Sequence, residues 1–278
     1  MAKNPSNRWS NRHCSIVCAS GNGKGIAVTY SGYYPTNGCI AIYDPYGEYA
    51  RKFGGLPAYA YRTRKHFSTN FLDAWRSHKP FVVVYQPQAA YVDIVEEKNW
   101  FGELMWTALD GDRMLYLLFE EFGKCVSGNG KDDTISGEIA TGSRKFGCRA
   151  GFVFQRSAEV PKTIWGNTTR KIIGAQEYET DCKRIVDQLG CDVADVAQIG
   201  QLNNKFAVYD AHYDDELKTK LHYFRSRGLR DFEKVSVMVP PNIKYLSQWT
   251  PEQRQLHKIS EFRMLNSEIL PARIPTSN

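Results

Sequence analysis

Several short stretches of this 278-residue chain carry side chains whose types and spacing could do chemistry. Gly21-Asn-Gly-Lys-Gly25 offers backbone N–H groups and one ammonium to a phosphate. A phosphate-cradling loop, however, calls for a four-residue gap before Gly-Lys-Ser/Thr and a helix afterwards. Here Lys24 is followed by Gly25 and the β-branched run Ile26-Ala-Val-Thr-Tyr30, which predicts a hairpin turn instead. The basic run Arg62-Thr-Arg-Lys-His66 makes Arg62, Arg64 and Lys65 candidates for holding the phosphates of a nucleotide, against the ordinary alternative of a solvated turn. Asp73 with Glu96-Glu-Lys98 could hold a divalent cation and orient a water in a nuclease, but reads more simply as a charged strand end. Asp210-Ala-His-Tyr-Asp-Asp-Glu216 collects metal-capable groups where a helix start would use its acids for capping. His13, Cys14 and Cys18 lack a fourth zinc ligand at a finger-like spacing. Ile185 to Ile199 has the spacing of a helix-turn-helix, but its second helix would present Asp192 and Asp195 with no Arg or Lys, so it predicts helix packing. No nucleophile constellation can be assembled, and the chain is expected not to be an enzyme: no catalytic residue and no metal ligand is assigned, and no cofactor is required.

The elements that must carry these groups read as an antiparallel meander at the start. Cys14 to Ala19 and Ile26 to Tyr30 are the first strand pair, and Pro35-Thr-Asn-Gly38 turns into Cys39-Ile-Ala-Ile-Tyr43. A helix is expected over 67–78, capped by Ser68 or Thr69 and ended by Lys79-Pro80. Phe81 to Tyr85 and Ala90 to Val95 form a second strand pair, and residues 126–144 a Gly/Ser/Asp-rich surface loop. Strands follow over 148–154, 163–165, 206–209 and 235–239, with helices over 177–189 and 214–225 and from a Thr250-Pro-Glu-Gln cap. The organisation is one α+β domain over 1–278, with a helical appendage from about 200 to 278 as a variant.

Composition narrows the class. With 42% hydrophobic and 24% charged residues the chain is neither disordered nor fibrous, and no apolar run reaches the roughly 20 residues that span a bilayer. The N-terminus lacks an apolar signal segment, and seven scattered cysteines read as reduced thiols. The net charge of +6 conceals opposed halves: 11 Lys/Arg against three acids in residues 1–80, and 11 acids against four bases in residues 92–140. Eight of the 16 tyrosines fall between Tyr30 and Tyr61. Basic and aromatic side chains together fit a single-stranded nucleic-acid-binding region with a tyrosine stacking platform, and opposed charges fit self-association.

Ile26-Ala-Val-Thr-Tyr-Ser-Gly-Tyr-Tyr-Pro-Thr-Asn-Gly-Cys-Ile-Ala-Ile-Tyr43, with Tyr46-Gly-Glu-Tyr49 after it, resembles the early aromatic hairpin of cypovirus polyhedrins, the matrix proteins of insect-virus occlusion bodies. Lys79 to Ile94 is similar to a strand pair of that family, with weaker echoes at Gly151 to Phe154 and Thr180 to Val186, about a third of the chain in all. The family's N-terminal linking helix is hard to place in the 13-residue lead-in, which departs from the family's pattern. The resemblance implies a jelly-roll-like antiparallel β-sandwich with peripheral helices. It further implies homotrimers packed into an intracellular crystal that encloses virus particles in occlusion bodies in the cytoplasm of the infected host cell. Some members bind a nucleotide in the lattice, which would suit Arg62, Arg64 and Lys65. Alkaline dissolution would then follow from deprotonation of Tyr, Cys and Lys, with Tyr30, Tyr33, Tyr34, Tyr43, Tyr46 and Tyr49 as the alkaline-sensing groups and a charge on the order of −20 above about pH 10.5.

Overall fold

Four apolar runs, Cys14-Ser-Ile-Val17, Cys39-Ile-Ala-Ile-Tyr43, Phe81-Val-Val-Val-Tyr85 and Leu115-Tyr-Leu-Leu-Phe119, lack the strict alternation of a strand with one wet face. Such runs suit strands covered on both sides, as in parallel sheets. That is where they lie in the computed structural model, which describes residues 5–49, 51–54, 56–126, 128–207, 220–228 and 230–238.

In chain order the elements are β1 (Cys14–Val17), α1 (Lys24–Tyr30), β2 (Cys39–Tyr43), β3 (Lys52–Phe53), β4 (Leu56–Tyr61), α2 (Arg64–Arg76), β5 (Phe81–Tyr85) and α3 (Ile94–Ala108). There follow β6 (Leu115–Phe119), α4 (Ile135–Gly142), β7 (Cys148–Phe154), α5 (Lys162–Asn167), β8 (Arg170–Ile173), α6 (Glu179–Leu189), α7 (Val193–Ala207), β9 (Lys220–Gly228) and β10 (Asp231–Met238). The described strands make one sheet in the order β10-β9-β8-β1-β7-β6-β2-β5-β4-β3. The seven from β8 to β4 run parallel, and only β9, β10 and β3 pair antiparallel.

This corrects the expected antiparallel β-sandwich. Ile26 to Tyr30 is a helix, so β1 and β2 are not hairpin partners; β7 and β6 lie between them. Ala90 to Val95 forms no strand: Asp93 accepts hydrogen bonds from the N–H groups of Val95 (2.9 Å) and Glu96 (3.2 Å) and caps α3. The 126–144 loop contains α4, capped by Thr134, and 163–165 lies in α5 rather than in a strand. The α2 helix begins a turn earlier than its sequence predicts, with Thr63 as cap. Phe206 and Ala207 end α7, and residues 220–225 belong to β9 rather than to a helix; the Asp210 to Glu216 cluster and the Thr250 cap lie outside the described residues. The expected helix-turn-helix is α6 and α7 joined through Gly190 in the left-handed region (φ 70°), and Asp195 pairs with Lys234 of β10 at 2.8 Å.

The two faces of the sheet are covered unequally. Helices α2 to α7 pack on one face, where Phe67, Phe71, Phe101, Ile139, Ile164, Ile185 and Ile199 meet Phe119, Phe152 and Phe154 of the strands. The other face is covered by α1 and the 33–53 segment, through Ala27, Val28, Tyr34, Tyr49 and Phe53. Most of the tyrosine cluster is therefore ordinary core. Tyr34 donates to Leu117 O (2.9 Å), Tyr43 to Ile94 O (2.7 Å) and half-buried Tyr33 to Ala150 O (3.1 Å). Burial raises the hydroxyls of Tyr33, Tyr34, Tyr43 and Tyr49 above the ordinary tyrosine value. Only Tyr30 and Tyr46 of the six expected alkaline sensors are exposed. Of the eight clustered tyrosines, only Tyr30, Tyr46 and Tyr59 stay exposed for the stacking expected with single-stranded nucleic acid.

Candidate functional site

In a parallel sheet the loops that leave the carboxyl ends of the strands converge, and binding sites form there. Residues 18–23 leave β1 at that end. Cys18 N donates to Phe154 O (3.1 Å) of β7, and Ala19 N donates to Ala175 O (2.8 Å) just beyond β8, so the loop is tied to both neighbouring strands. Gly21 (φ 74°) and Gly23 (φ 79°) take left-handed conformations, which a residue with a Cβ adopts only at a cost. With Gly23 as N-cap, α1 starts at Lys24. Residues 18–25 therefore have the strand-loop-helix setting of a phosphate-cradling loop, and the expected hairpin is corrected. Compared with the Gly-x4-Gly-Lys-Ser/Thr pattern, Cys18 stands in the first glycine's place and Gly25 in the hydroxyl residue's.

Lys24 extends over β7 to the end of β6. Its Nζ lies 3.0 Å from Glu120 Oε1 and is paired with Glu121 Oε1. Between them stands Gln155, immediately after β7, whose Nε2 donates to both Glu121 oxygens (2.9 and 2.8 Å). Glu121 has φ 49°, a strained conformation for a residue with a side chain. Tyr49 donates to Glu120 Oε2 (3.2 Å), and the loop that brings it there is held by Asp44, whose carboxylate accepts from Gly47 N (2.8 Å) and Tyr49 N (2.9 Å). Lys124 lies 3.6 Å from Glu121 and over the Tyr46 ring at 4.4 Å.

The electrostatics separate the two carboxylates. Glu120 is fully buried, and that burial raises its pKa to about 7 even though the Lys24 ammonium opposes the shift. Burial also acts to raise Glu121, but hydrogen bonds from Lys24 and Gln155 outweigh it and hold Glu121 below the ordinary carboxylate value. For Lys24, burial favours the neutral amine; the two carboxylates prevail and its pKa lies above the ordinary value. A carboxyl raised on folding stabilises the fold most below its unfolded value near 4.5, and this contribution is lost as pH rises through about 7. Relative to Glu120→Gln, the wild-type chain is accordingly expected to lose about 3 kcal/mol of unfolding free energy between pH 5 and 8. Urea denaturation across that range measures it, and parallel pH profiles for the two proteins would contradict the burial argument.

Sequence reasoning considered Lys24 as part of a phosphate loop and set it aside for a hairpin turn, and it missed Glu120, Glu121 and Gln155. The available signal was an apolar run, Leu115 to Phe119, ending abruptly in two acids. Of the expected phosphate-binding residues, Arg64 is engaged by Glu96 (2.6 Å) and Glu97 (2.9 Å) and lies over Trp100, while Arg62 and Lys65 are exposed. These three lie beside the carboxyl end of β4, five strands from β1, or about 24 Å at the usual strand spacing. Glu96 and Glu97 sit on α3, not on a strand, and buried Lys98 donates instead to Cys125 O and Thr134 Oγ1. Among the described residues no three His, Cys, Asp or Glu side chains gather as metal ligands, and no helix is long and apolar enough to cross a membrane.

No family model and no curated protein matches the sequence. Solved structures do match in fold. The genome packaging NTPase B204 of Sulfolobus turreted icosahedral virus 2, in complex with ATP-gammaS, superposes with a TM-score of 0.52 at 11% identity, covering 82% of this chain and 98% of that one. Its complex with AMPPCP gives 0.51 at 13% identity over 83% and 99%. The bacterial conjugative coupling protein TrwBdeltaN70 gives 0.54 at 11% identity over 87% and 89%. At these identities the likeness establishes the fold. It overturns the polyhedrin resemblance, and with it the occlusion-body matrix, the lattice of homotrimers, the enclosed virus particles and the expectation of a non-enzyme. The physical reason lies in the residues that carried the resemblance, since Ile26 to Tyr43 is a helix, a turn and one parallel strand, and Lys79 to Ile94 is a strand and a helix cap. The chain has an α/β fold similar to those of the packaging NTPase B204 and the coupling protein TrwBdeltaN70.

Proposed function

We propose that the chain binds a nucleoside triphosphate in the 18–25 loop and hydrolyses its terminal phosphate. The observation that carries this is the bridge from Lys24, at the end of a glycine loop, to two acids at the end of a strand two places away, with Gln155 between them. Complexes of B204 with ATP-gammaS and AMPPCP, in the same fold, support it.

In this scheme Lys24 leaves the carboxylates and places its ammonium against the terminal phosphates, while the N–H groups of the glycine loop approach the same oxygens. Glu121 keeps 10% of its side chain exposed, whereas Glu120 has none. Glu121 is therefore the group that can meet a water, and Gln155 fixes its orientation. The water oxygen bonds to the terminal phosphorus, its proton passes to Glu121, and the bond from that phosphorus to the bridging oxygen breaks to release the nucleoside diphosphate. Glu120 is held by Tyr49 through Oε2, and its Oε1, paired with Lys24 at 3.0 Å, is freed when the ammonium moves to the phosphates. A divalent cation fits this carboxylate together with waters and phosphate oxygens, although Gly25 has no hydroxyl to add. When bound, the cation would neutralise charge developing on the phosphates.

Glu121→Gln is expected to lower single-turnover hydrolysis at least about a hundredfold while affinity for ATP-gammaS changes less than about threefold. Unaltered turnover in Glu121→Gln would remove that residue's role. Absence of any nucleoside triphosphate binding by the wild-type chain at millimolar ligand would remove the proposal.

A further inference from the structure

At the opposite end of the sheet, away from Lys24, lies a cavity of about 430 Å³ lined by five arginines, Arg12, Arg149, Arg170, Arg225 and Arg227, with Tyr33 and Tyr116. Strand register explains their assembly. Tyr116 pairs with Arg149, Cys14 with both Gly151 and Arg170, and Ile172 with Arg225. Partners across a ladder point to the same face, as do residues two apart on one strand. The arginines thus share a face at the starts of β7, β1 and β8 and the adjoining end of β9.

Charge in the cavity is not balanced. Glu233 engages Arg225 (2.5 Å) and Arg227 (3.4 Å). Among the described residues no carboxylate forms an ion pair with Arg12, Arg149 or Arg170. Arg149 donates through Nη1 to Tyr116 Oη (3.0 Å), yet its Nε is buried without an acceptor. Burial, and then the charges of Arg12 and Arg227, hold the Arg170 guanidinium below its ordinary value, with Asp231 offsetting in part. Guanidiniums crowded with few counter-charges and an unspent buried donor form an anion site in want of its anion.

The length of the row selects the anion. The five strands from β6 to β9 are consecutive in the sheet and span about 19 Å at the usual spacing. One phosphate meets two or three guanidiniums, whereas a chain of phosphates can follow the row. We propose that this cavity is a second phosphate site, taking a ligand that carries several linked phosphates. Free polyphosphate and the backbone of a nucleic-acid strand share that chemistry. The proposal is independent of the nucleotide assignment at Lys24.

The test uses the full chain carrying Lys24→Ala, which disables the other phosphate site. Inorganic tripolyphosphate is titrated calorimetrically, and a fluorescein-labelled oligothymidine is followed by anisotropy. At least one probe is expected to bind, and Arg12→Glu with Arg170→Glu to weaken it tenfold or more. If the strand is the ligand, the plot of log affinity against log salt becomes shallower by about 1 to 2. Binding of tripolyphosphate alone identifies a free phosphate chain as the ligand, and binding of oligothymidine a nucleic-acid backbone. Arg12 and Arg227 are exposed, so Arg12→Glu and Arg227→Glu singly, each expected to weaken binding threefold or more, keep the test open should Arg170→Glu fail to fold. If neither probe binds, or if these reversals leave affinity within twofold, the proposal is overturned.

Discussion

Lys24→Ala is expected to lower nucleotide turnover at least about a hundredfold and to cost the fold little by comparison. The first effect follows from the position of Lys24 as the cation that links the glycine loop to Glu120 and Glu121. Without it the terminal phosphate has no ammonium to meet, and ATP-gammaS affinity falls together with the rate. The second effect follows from Glu120. Removing one partner of a buried ion pair often costs about 3 to 5 kcal/mol because a bare charge is left behind. Glu120 already sits at about 7 with the ammonium beside it. Without Lys24 it climbs further and takes up a proton at neutral pH, which limits the loss to about 1 to 2 kcal/mol. Single-turnover kinetics and urea denaturation of the same variant separate the two effects. Wild-type turnover in Lys24→Ala would end the assignment of this loop, while a loss of 4 kcal/mol or more would show that Glu120 stays charged.

Gly147→Ala is expected to be strongly destabilising, at about 3 to 5 kcal/mol. Gly147 has φ 78°, and a Cβ there would collide with the backbone carbonyl oxygen of Arg113. The left-handed conformation alone costs about 1 to 2 kcal/mol, and the collision adds a backbone displacement where Leu115 N donates to Gly147 O (2.8 Å). That bond opens the β6–β7 ladder, so the displacement reaches the two strands that carry Glu121 and Gln155. Gly32→Ala is the control: φ is 75° there and nothing lies within 4 Å of the added methyl, so only the conformational cost remains. Chemical denaturation of both variants decides. Equal losses would mean that the Arg113 carbonyl yields easily.

How much of this was legible without coordinates differs from element to element. The runs of β1, β2, β5 and β7 read as strands, and α2 and α6 as helices, because local patterning determines element type over most of their length, whereas β6 was not read as a strand. Strand partners were not legible. Asn-Gly and Gly-rich turns between β-branched runs predict hairpins wherever the next run is itself a strand. Ile26 to Tyr30 fails that condition, because Gly23 in the left-handed region launches a helix that buries Ala27 and Val28 against the sheet. Once that segment is helical, β2 is no hairpin partner of β1, and in the parallel sheet β7 and β6 lie between them.

The sequence alone determined the positions of several strand runs, the uneven placement of charge and the presence of a glycine loop containing Lys24. The tertiary structure decided what these features mean. Lys24 and Glu121 are 97 residues apart in the chain, and no periodicity relates them. They meet because β7 inserts between β1 and β6 and delivers Gln155 to the gap. The tyrosines moved the opposite way, since a cluster that composition suggests is a surface is mostly interior, because side chains of a parallel sheet are covered on both faces. Functional meaning came from which strand ends the topology sets side by side, a property of the whole sheet rather than of any segment in it.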